Sequence, residues 1–247
     1  MDVKGKTYNS LISYYNKEKN LKKFLAVCDC MVKSQTSTPE MRGEICESVL
    51  YIMLTDFIEK NKLTDWRISK GLILKNISEE KSSEYVTELD LTLFTPKCVF
   101  SFECKSYKGQ KRLKDKGTLY LKRSKGYKKS VDIFDQHVKH FNVLEENLKC
   151  ALNPVKSLTY KSYRLLCFEF SDTPLIDKRE DKYRALFPVC NSNNLYNIFK
   201  GYKDRPVYWN MDRVNRVVDI IEKATEKNTK RHIDYVSSLN HSRSLHK

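Results

Sequence analysis

Asp90 and Glu103, with Lys105 two positions further on, are the side chains around which this chain could build a reaction centre. They lie in two runs of alternating character. In Tyr85–Phe94, Glu88, Asp90, Thr92 and Phe94 share one strand face, and Leu89, Leu91 and Leu93 the other. In Cys98–Lys105, Val99, Ser101, Glu103 and Lys105 oppose Phe100, Phe102 and Cys104. Folding the two runs together about Pro96-Lys97 brings together positions that sum to 193. Leu91 then meets Phe102, Thr92 meets Ser101, Asp90 meets Glu103 and Glu88 meets Lys105. Pro96 cannot take the positive φ of a two-residue type I′ turn, which leaves a larger loop and a shifted pairing open. Any shift that keeps the apolar face intact still leaves Asp90 and Glu103 on one side. Two carboxylates that close repel each other. A divalent cation between them removes the repulsion, and hard oxygen donors suit Mg²⁺ (or Mn²⁺). Lys105 could then orient a water or stabilise charge building on a phosphate.

The elements that must hold this pair are legible on either side. Residues 8–34 read as an amphipathic helical region, with Leu11, Ile12, Tyr15, Phe24, Leu25 and Val27 among charged residues. Thr38 can cap a helix that has Pro39 in its first position, and Ser37 with Glu40 has capping-box spacing. That helix is expected to run to about Lys62, burying Met41, Ile45, Leu50, Met53, Leu54 and Phe57. A strand over Trp66–Leu74 precedes the two runs above, with a polar break at 78–83. Further on, Val131–Leu148 predicts a helix, Tyr163–Phe170 a buried strand, Leu195–Phe199 a short helix and Pro206–Trp209 a strand. A basic helix is expected from Met211 to about His232, with the last residues polar and frayed.

Charge narrows the function. Between Lys105 and Lys129 stand eleven basic residues and one acid, Asp115, so this stretch supplies most of the net charge of +15. Tyr107, Tyr120 and Tyr127 are interleaved, and Gly109, Gly117 and Gly126 punctuate it. Read as a basic loop after the candidate strand, it suits a polyanion, through phosphate neutralisation and ring stacking. Lys108, Lys111, Arg112, Lys114, Lys122, Arg123, Lys125, Lys128 and Lys129 are its nucleic-acid-binding candidates. No apolar run approaches the roughly 18–20 residues a membrane span needs, so no membrane partner is expected. The first residues lack a signal-peptide apolar stretch, which points to an intracellular, cytoplasmic protein. Eight cysteines occur without any CxxC, several inside apolar runs, and read as reduced buried side chains in a reducing compartment.

Four segments resemble the PD-(D/E)xK nuclease superfamily, and most closely its nuclease-related domain (NERD) branch. Arg42-Gly43-Glu44 in the long helix resembles the family's helical Gly-Glu, and Thr87-Glu88-Leu89-Asp90 its metal-binding acid. Val99–Lys105 followed by Gly109 resembles the strand ending in Glu-x-Lys, and Asp135–His140 the Gln-containing helix. The resemblance implies an α/β, restriction-endonuclease-like core. That core is a mixed central sheet flanked by helices, over 38–236, with a helical extension at 1–37 and a tail at 237–247. It implies metal binding by Asp90, Glu103, the Cys104 carbonyl and Glu44, a water positioned by Lys105, and support from Gln136. Leu91 stands where a His often follows the acid, and no proline precedes Asp90. Glu47, three residues after Glu44, partly shares its helix face and competes with it. His140 reads as a surface or packing histidine, and His137-x-x-His140 lacks the partners of a zinc site. The implied activity is metal-assisted hydrolysis of nucleic acid, DNA by family analogy. The alternatives are a non-catalytic nucleic-acid-binding module, or an interaction module whose basic surface meets an acidic protein. The N-terminal helical region is the expected surface for a second copy or a protein partner.

Overall fold

The structure is a computed structural model and describes residues 5–76, 86–151, 163–202, 207 and 210–244, without the side chains of 150, 151 and 230–244. Tyr85, the polar stretch 78–83 and the strand expected at 206–209 (Val207 aside) lie outside the described residues. Three helices come first: α1 (Lys6–Glu18), α2 (Leu21–Lys33) and α3 (Pro39–Lys60). The region read as one amphipathic stretch breaks at Lys19, which takes a left-handed φ of 47°, and Asn20 caps α2 by accepting from Lys23 N at 3.0 Å. Thr38 caps α3 as expected, its hydroxyl accepting from Met41 N at 3.2 Å, while Ser37 turns to Val32 O.

Strands β1 (Arg67–Lys75), β2 (Val86–Phe94) and β3 (Val99–Lys105) form an antiparallel meander. After β3 come β4 (Lys111–Lys114), β5 (Thr118–Arg123), β6 (Gly126–Asp132) and α4 (Ile133–Ala151). The remaining elements are β7 (Tyr163–Glu169), β8 (Leu175–Asp177), α5 (Asp181–Leu186), β9 (Val189–Cys190), α6 (Leu195–Lys200) and α7 (Met211–Ser244). The main sheet has order β1-β2-β3-β7-β9, with β7 and β9 parallel to β3; a second sheet has order β6-β5-β4-β8. The fold is therefore the expected α/β one with helices on both sides, enlarged by a sheet where the sequence predicts a basic loop. Strand β8, helix α5 and strand β9 have no counterpart among the predicted elements, and α7 continues to Ser244, into the residues read as a frayed tail.

One apolar cluster joins α3 to Leu91, Leu93, Phe100, Phe102, Leu166 and Phe168 of the main sheet; α1 and α2 bury Leu11, Tyr15, Phe24, Cys28 and Val32 in it. A second cluster joins α4 and α7 to Leu72, Leu74, Leu89, Phe94 and Val99. Leu89 therefore packs on the opposite side from Leu91 and Leu93, contrary to the single apolar face expected from alternation. The change falls between Lys70↔Leu91 and Leu72↔Leu89, where Gly71 and Asp90 lack a ladder partner and Gly71 takes a φ of 59°. Glycine reaches that conformation without a Cβ penalty, and an isolated glycine in a strand commonly marks such a break. Asp90 sits at the turnover point.

Candidate active site

Near its turn the hairpin has the register read from its sequence, but the pairs expected further along, Asp90 with Glu103 and Glu88 with Lys105, do not form. Leu91 pairs with Phe102, Thr92 with Ser101, Leu93 with Phe100 and Phe94 with Val99. Pro96 is accommodated because the Thr95 hydroxyl accepts from Lys97 N at 3.2 Å and Cys98 N at 2.9 Å. A side chain thus replaces the backbone carbonyl that a primed turn would have used. Beyond Leu91 the two strands part. Asp90 has no ladder partner on either side, and its Oδ2 accepts from Cys104 N at 2.7 Å. Phe170 N donates to Lys105 O at 3.3 Å, so the backbone groups of Lys105 face β7. Alternation then turns those of Cys104, carbonyl included, to the gap beside β2.

That gap is an open cleft of about 380 Å³, lined by Glu47, Glu88, Asp90, Glu103, Cys104, Lys105, Gln136 and His140, with Val86 and Thr87 at its edge. Lys105 Nζ donates to Glu103 Oε1 at 2.6 Å and to Gln136 Oε1 at 3.3 Å. His140 Nδ1 lies 3.3 Å from Glu103 Oε2, a contact at ion-pair distance without hydrogen-bond alignment. The sequence predicts a surface or packing role for this histidine; the fold sets it against the acid. Its neighbour His137 is buried, shares a 2.9 Å hydrogen bond between Nε2 and Ser101 Oγ, and is pushed down to about 4 by burial. It is a neutral prop under β3.

Burial pushes the Asp90 carboxyl well above the usual range, and the charges of Glu103 and then Glu47 add to it. Burial acts in the same sense on Glu103, but His140 and Lys105 overcome it and hold that carboxyl below its ordinary value. Burial opposes the charge on Lys105, yet Glu103 and Asp90 prevail and raise its pKa. At neutral pH Lys105 is therefore an ammonium, a donor and not a base. The cleft sets two acids apart by environment, one reluctant to ionise and one held ionised.

Helix α3 contributes Glu47, not Glu44. The Glu44 carboxylate accepts from Gly5 N at 2.7 Å and Tyr8 N at 3.1 Å, holding the N-terminus of α1, and it does not line the cleft. Glu47 lies 3.3 Å from Lys70 Nζ, which sits 3.1 Å from the centroid of the Tyr8 ring. The reason is geometric. Two residues three apart on a helix diverge by part of a turn, and here α1 covers the side that Glu44 faces. A positively polarised helix start is a suitable partner for that carboxylate. Glu88 was already on the Asp90 side in the sequence register, but Lys70 and Tyr8 carried no signal that linked them to the site.

The basic candidates divide. Lys111 is only 1% exposed, with Nζ 3.3 Å from Glu169 and 3.9 Å from Asp172 and bonded to the backbone oxygens of Tyr107 and Thr173, so it anchors β4 and does not reach a ligand. Lys108, Lys114, Lys122, Arg123, Lys125, Lys128 and Lys129 are exposed, and Arg112 is half-buried. Among the described residues no three His, Cys, Asp or Glu side chains form a group able to hold a metal as they stand. None of the described cysteines is in a disulfide, and five of them are buried. No helix among the described residues is long and apolar enough to cross a membrane.

Comparison with known proteins adds the family. A profile described as "Nuclease-related domain" matches residues 41–166, half of the chain and every cleft-lining residue. No curated protein matches. Among solved structures, the protein of unknown function AF1548 is similar at 9% identity and a TM-score of 0.35, over 73% of this chain and 93% of its own. Protein VC1899 from Vibrio cholerae is similar at 14% identity and a TM-score of 0.35, over 85% of this chain and 50% of its own. Likeness that slight carries no argument.

Proposed function

This chain belongs to the nuclease-related domain family, and on that premise we propose that its cleft hydrolyses phosphodiester bonds of nucleic acid, DNA by family analogy, with Mg²⁺ or Mn²⁺. The observation that carries the proposal is the convergence of Asp90, Glu103 and Lys105 on one open cleft, at the point where β2 and β3 separate.

The donor set fits a hard divalent ion. Carboxylate oxygens of Asp90 and Glu103 and the Cys104 carbonyl would hold it, with Glu47, which lines the same cleft, as the helical acid in place of Glu44. Burying Asp90 beside Glu103 raises the Asp90 carboxyl, and positive charge in the cleft relieves that conflict. A divalent ion held by these residues would supply Lewis acidity to the scissile phosphate and make a nearby water more acidic. The chain's own groups do the rest. Lys105, protonated and tethered by Gln136 Oε1, holds the attacking water or a phosphate oxygen by donating to it. His140 and Lys105 keep Glu103 ionised, and Gln136 fixes the direction of the lysine.

The test is cleavage of labelled DNA with Mn²⁺, against EDTA and an Asp90→Ala variant. Asp90→Ala is expected to lower cleavage by about a thousandfold, the scale of several kcal/mol of lost transition-state stabilisation. Nucleic acid bound but never cut, whichever divalent ion is supplied, would replace this reading with that of a binding module on the same fold.

A further inference from the structure

We infer that the outer face of the second sheet is a platform for single-stranded nucleic acid, and that the strand presented to the cleft is unpaired. The inference rests on reading the cleft as a nuclease site.

Pairing places Arg112, Tyr120 and Lys129 on one face of this sheet, together with Lys122 and Tyr127. Lys114, two residues from Arg112 on β4, joins them. The opposite face carries Leu113 and Leu119, packed with Ile133, Cys167 and Phe187 against the body of the protein. One face is thus covered, and the other is a row of cations with two rings.

Three features distinguish this face from an ordinary solvated charge run. First, among the described residues Arg112, Lys114, Lys122 and Lys129 have no carboxylate at ion-pair distance, and Arg112 Nε is buried without a hydrogen-bond partner. Second, two of the cations lie on rings. Arg112 Cζ is 4.0 Å from the centroid of Tyr127, and Lys114 Nζ is 5.5 Å from that of Tyr120. Third, both rings are pinned by their hydroxyls, with Tyr127 donating to Gln110 Oε1 at 3.2 Å and Tyr120 to Asp115 Oδ2 at 3.3 Å. A pinned ring under a guanidinium is a partial stack that a base can extend.

Charge alone would serve a duplex equally well. The rings decide the matter, because base faces are free to stack on a side chain only in an unpaired strand. The position of the sheet connects it with the chemistry. Its strands β4, β5 and β6 are inserted between Lys105 and Gln136, whose side chains meet at 3.3 Å, so both ends of the insertion emerge at the cleft. The close fit at Gly117, where a Cβ would collide with Phe134, holds the sheet against the start of α4.

The test is fluorescence anisotropy in EDTA, where no turnover intervenes, with a labelled thymidine single strand and a labelled duplex of equal length. The protein is expected to bind the single strand more tightly. Tyr120→Ala/Tyr127→Ala is expected to weaken single-strand binding about tenfold or more and to leave duplex binding unchanged. Tyr120→Leu/Tyr127→Leu, which keeps apolar cover on the sheet, should behave alike and guards against a folding defect. Lys122→Ala/Lys129→Ala should reduce the slope of log affinity against log salt by about 1.4. Equal binding of duplex, or single-strand affinity indifferent to both tyrosine variants, would overturn the inference. So would competition by polyglutamate as effective as that by the oligonucleotide, which would assign the face to an acidic protein. Single-strand binding by a wild-type protein that cuts nothing with any divalent ion counts against the nuclease reading only, and cleavage without this single-strand preference counts against the platform only.

Discussion

The two sheets of this molecule use charge in opposite ways. In the main sheet the charges at the cleft are few, largely buried and matched to one another: Glu103 with Lys105 and His140, and Asp90 with a backbone N–H. On the outer face of the second sheet they are many and mostly exposed, two of them set over aromatic rings, and among the described residues none has a carboxylate at ion-pair distance. A buried charge is costly unless paired, so position determines what each cleft residue can do. An exposed charge costs little and does little alone, so the second sheet acts through number and pattern. Lys111 is the exception that sharpens the contrast, a cation of the second sheet held in the manner of the first.

The largest stability effect should fall there. Lys111→Ala strands Glu169 and Asp172, and urea unfolding should show a loss of about 3–5 kcal/mol, whereas Lys122→Ala on the outer face should stay within about 0.5 kcal/mol. Equal effects from the two would erase the distinction between the sheets.

A pH effect of similar size belongs to His137. Its folded pKa is depressed to about 4, against an ordinary value of about 6.5. Between those values the unfolded chain takes up a proton that the folded one refuses. Stability should therefore fall as pH drops through this window, by on the order of 3 kcal/mol in total, and be insensitive to this residue above it. His137→Gln should flatten that part of the stability profile relative to the wild type. Asp90, whose pKa is raised, contributes with the opposite sign in acid, so the difference between the two proteins is the quantity to measure. An unchanged profile in the variant would show that His137 ionises freely in the fold.

The smaller contrast lies within α3. Glu47→Gln is expected to lower cleavage about 10–100-fold. Glu44→Gln should leave cleavage unchanged and cost about 1 kcal/mol in unfolding, through the weakened seat of α1. The reverse pattern would return the family's Gly-Glu acid to the metal shell.

Much of the site was legible because its signals are short-range. The alternation of Leu89–Phe94 and Val99–Lys105 gave the pairing of Leu91 with Phe102, and Thr38 with Pro39 gave the start of α3. The second sheet was hidden for the same reason it is useful. Its outward positions are lysine, arginine and tyrosine, and Leu113 and Leu119 are too sparse to announce strands against that background. Turn signals were present in Asp115-Lys116-Gly117 and Ser124-Lys125-Gly126, but the charge density reads first as a loop.

By itself, then, the sequence determined that the strands carrying Asp90, Glu103 and Lys105 are neighbours, since a period of two and a hydrophobic face suffice to align Leu91–Phe94 with Val99–Phe102. Tertiary structure alone decided three further matters. Asp90 stands where Gly71 turns the sheet over, because a break in one strand is felt by its partner. Lys111 is buried, because Glu169 and Asp172 arrive from more than fifty residues away. Glu47 faces the cleft and Glu44 does not, because the choice between two acids on one helix depends on what packs against each side, and here α1 occupies one of them.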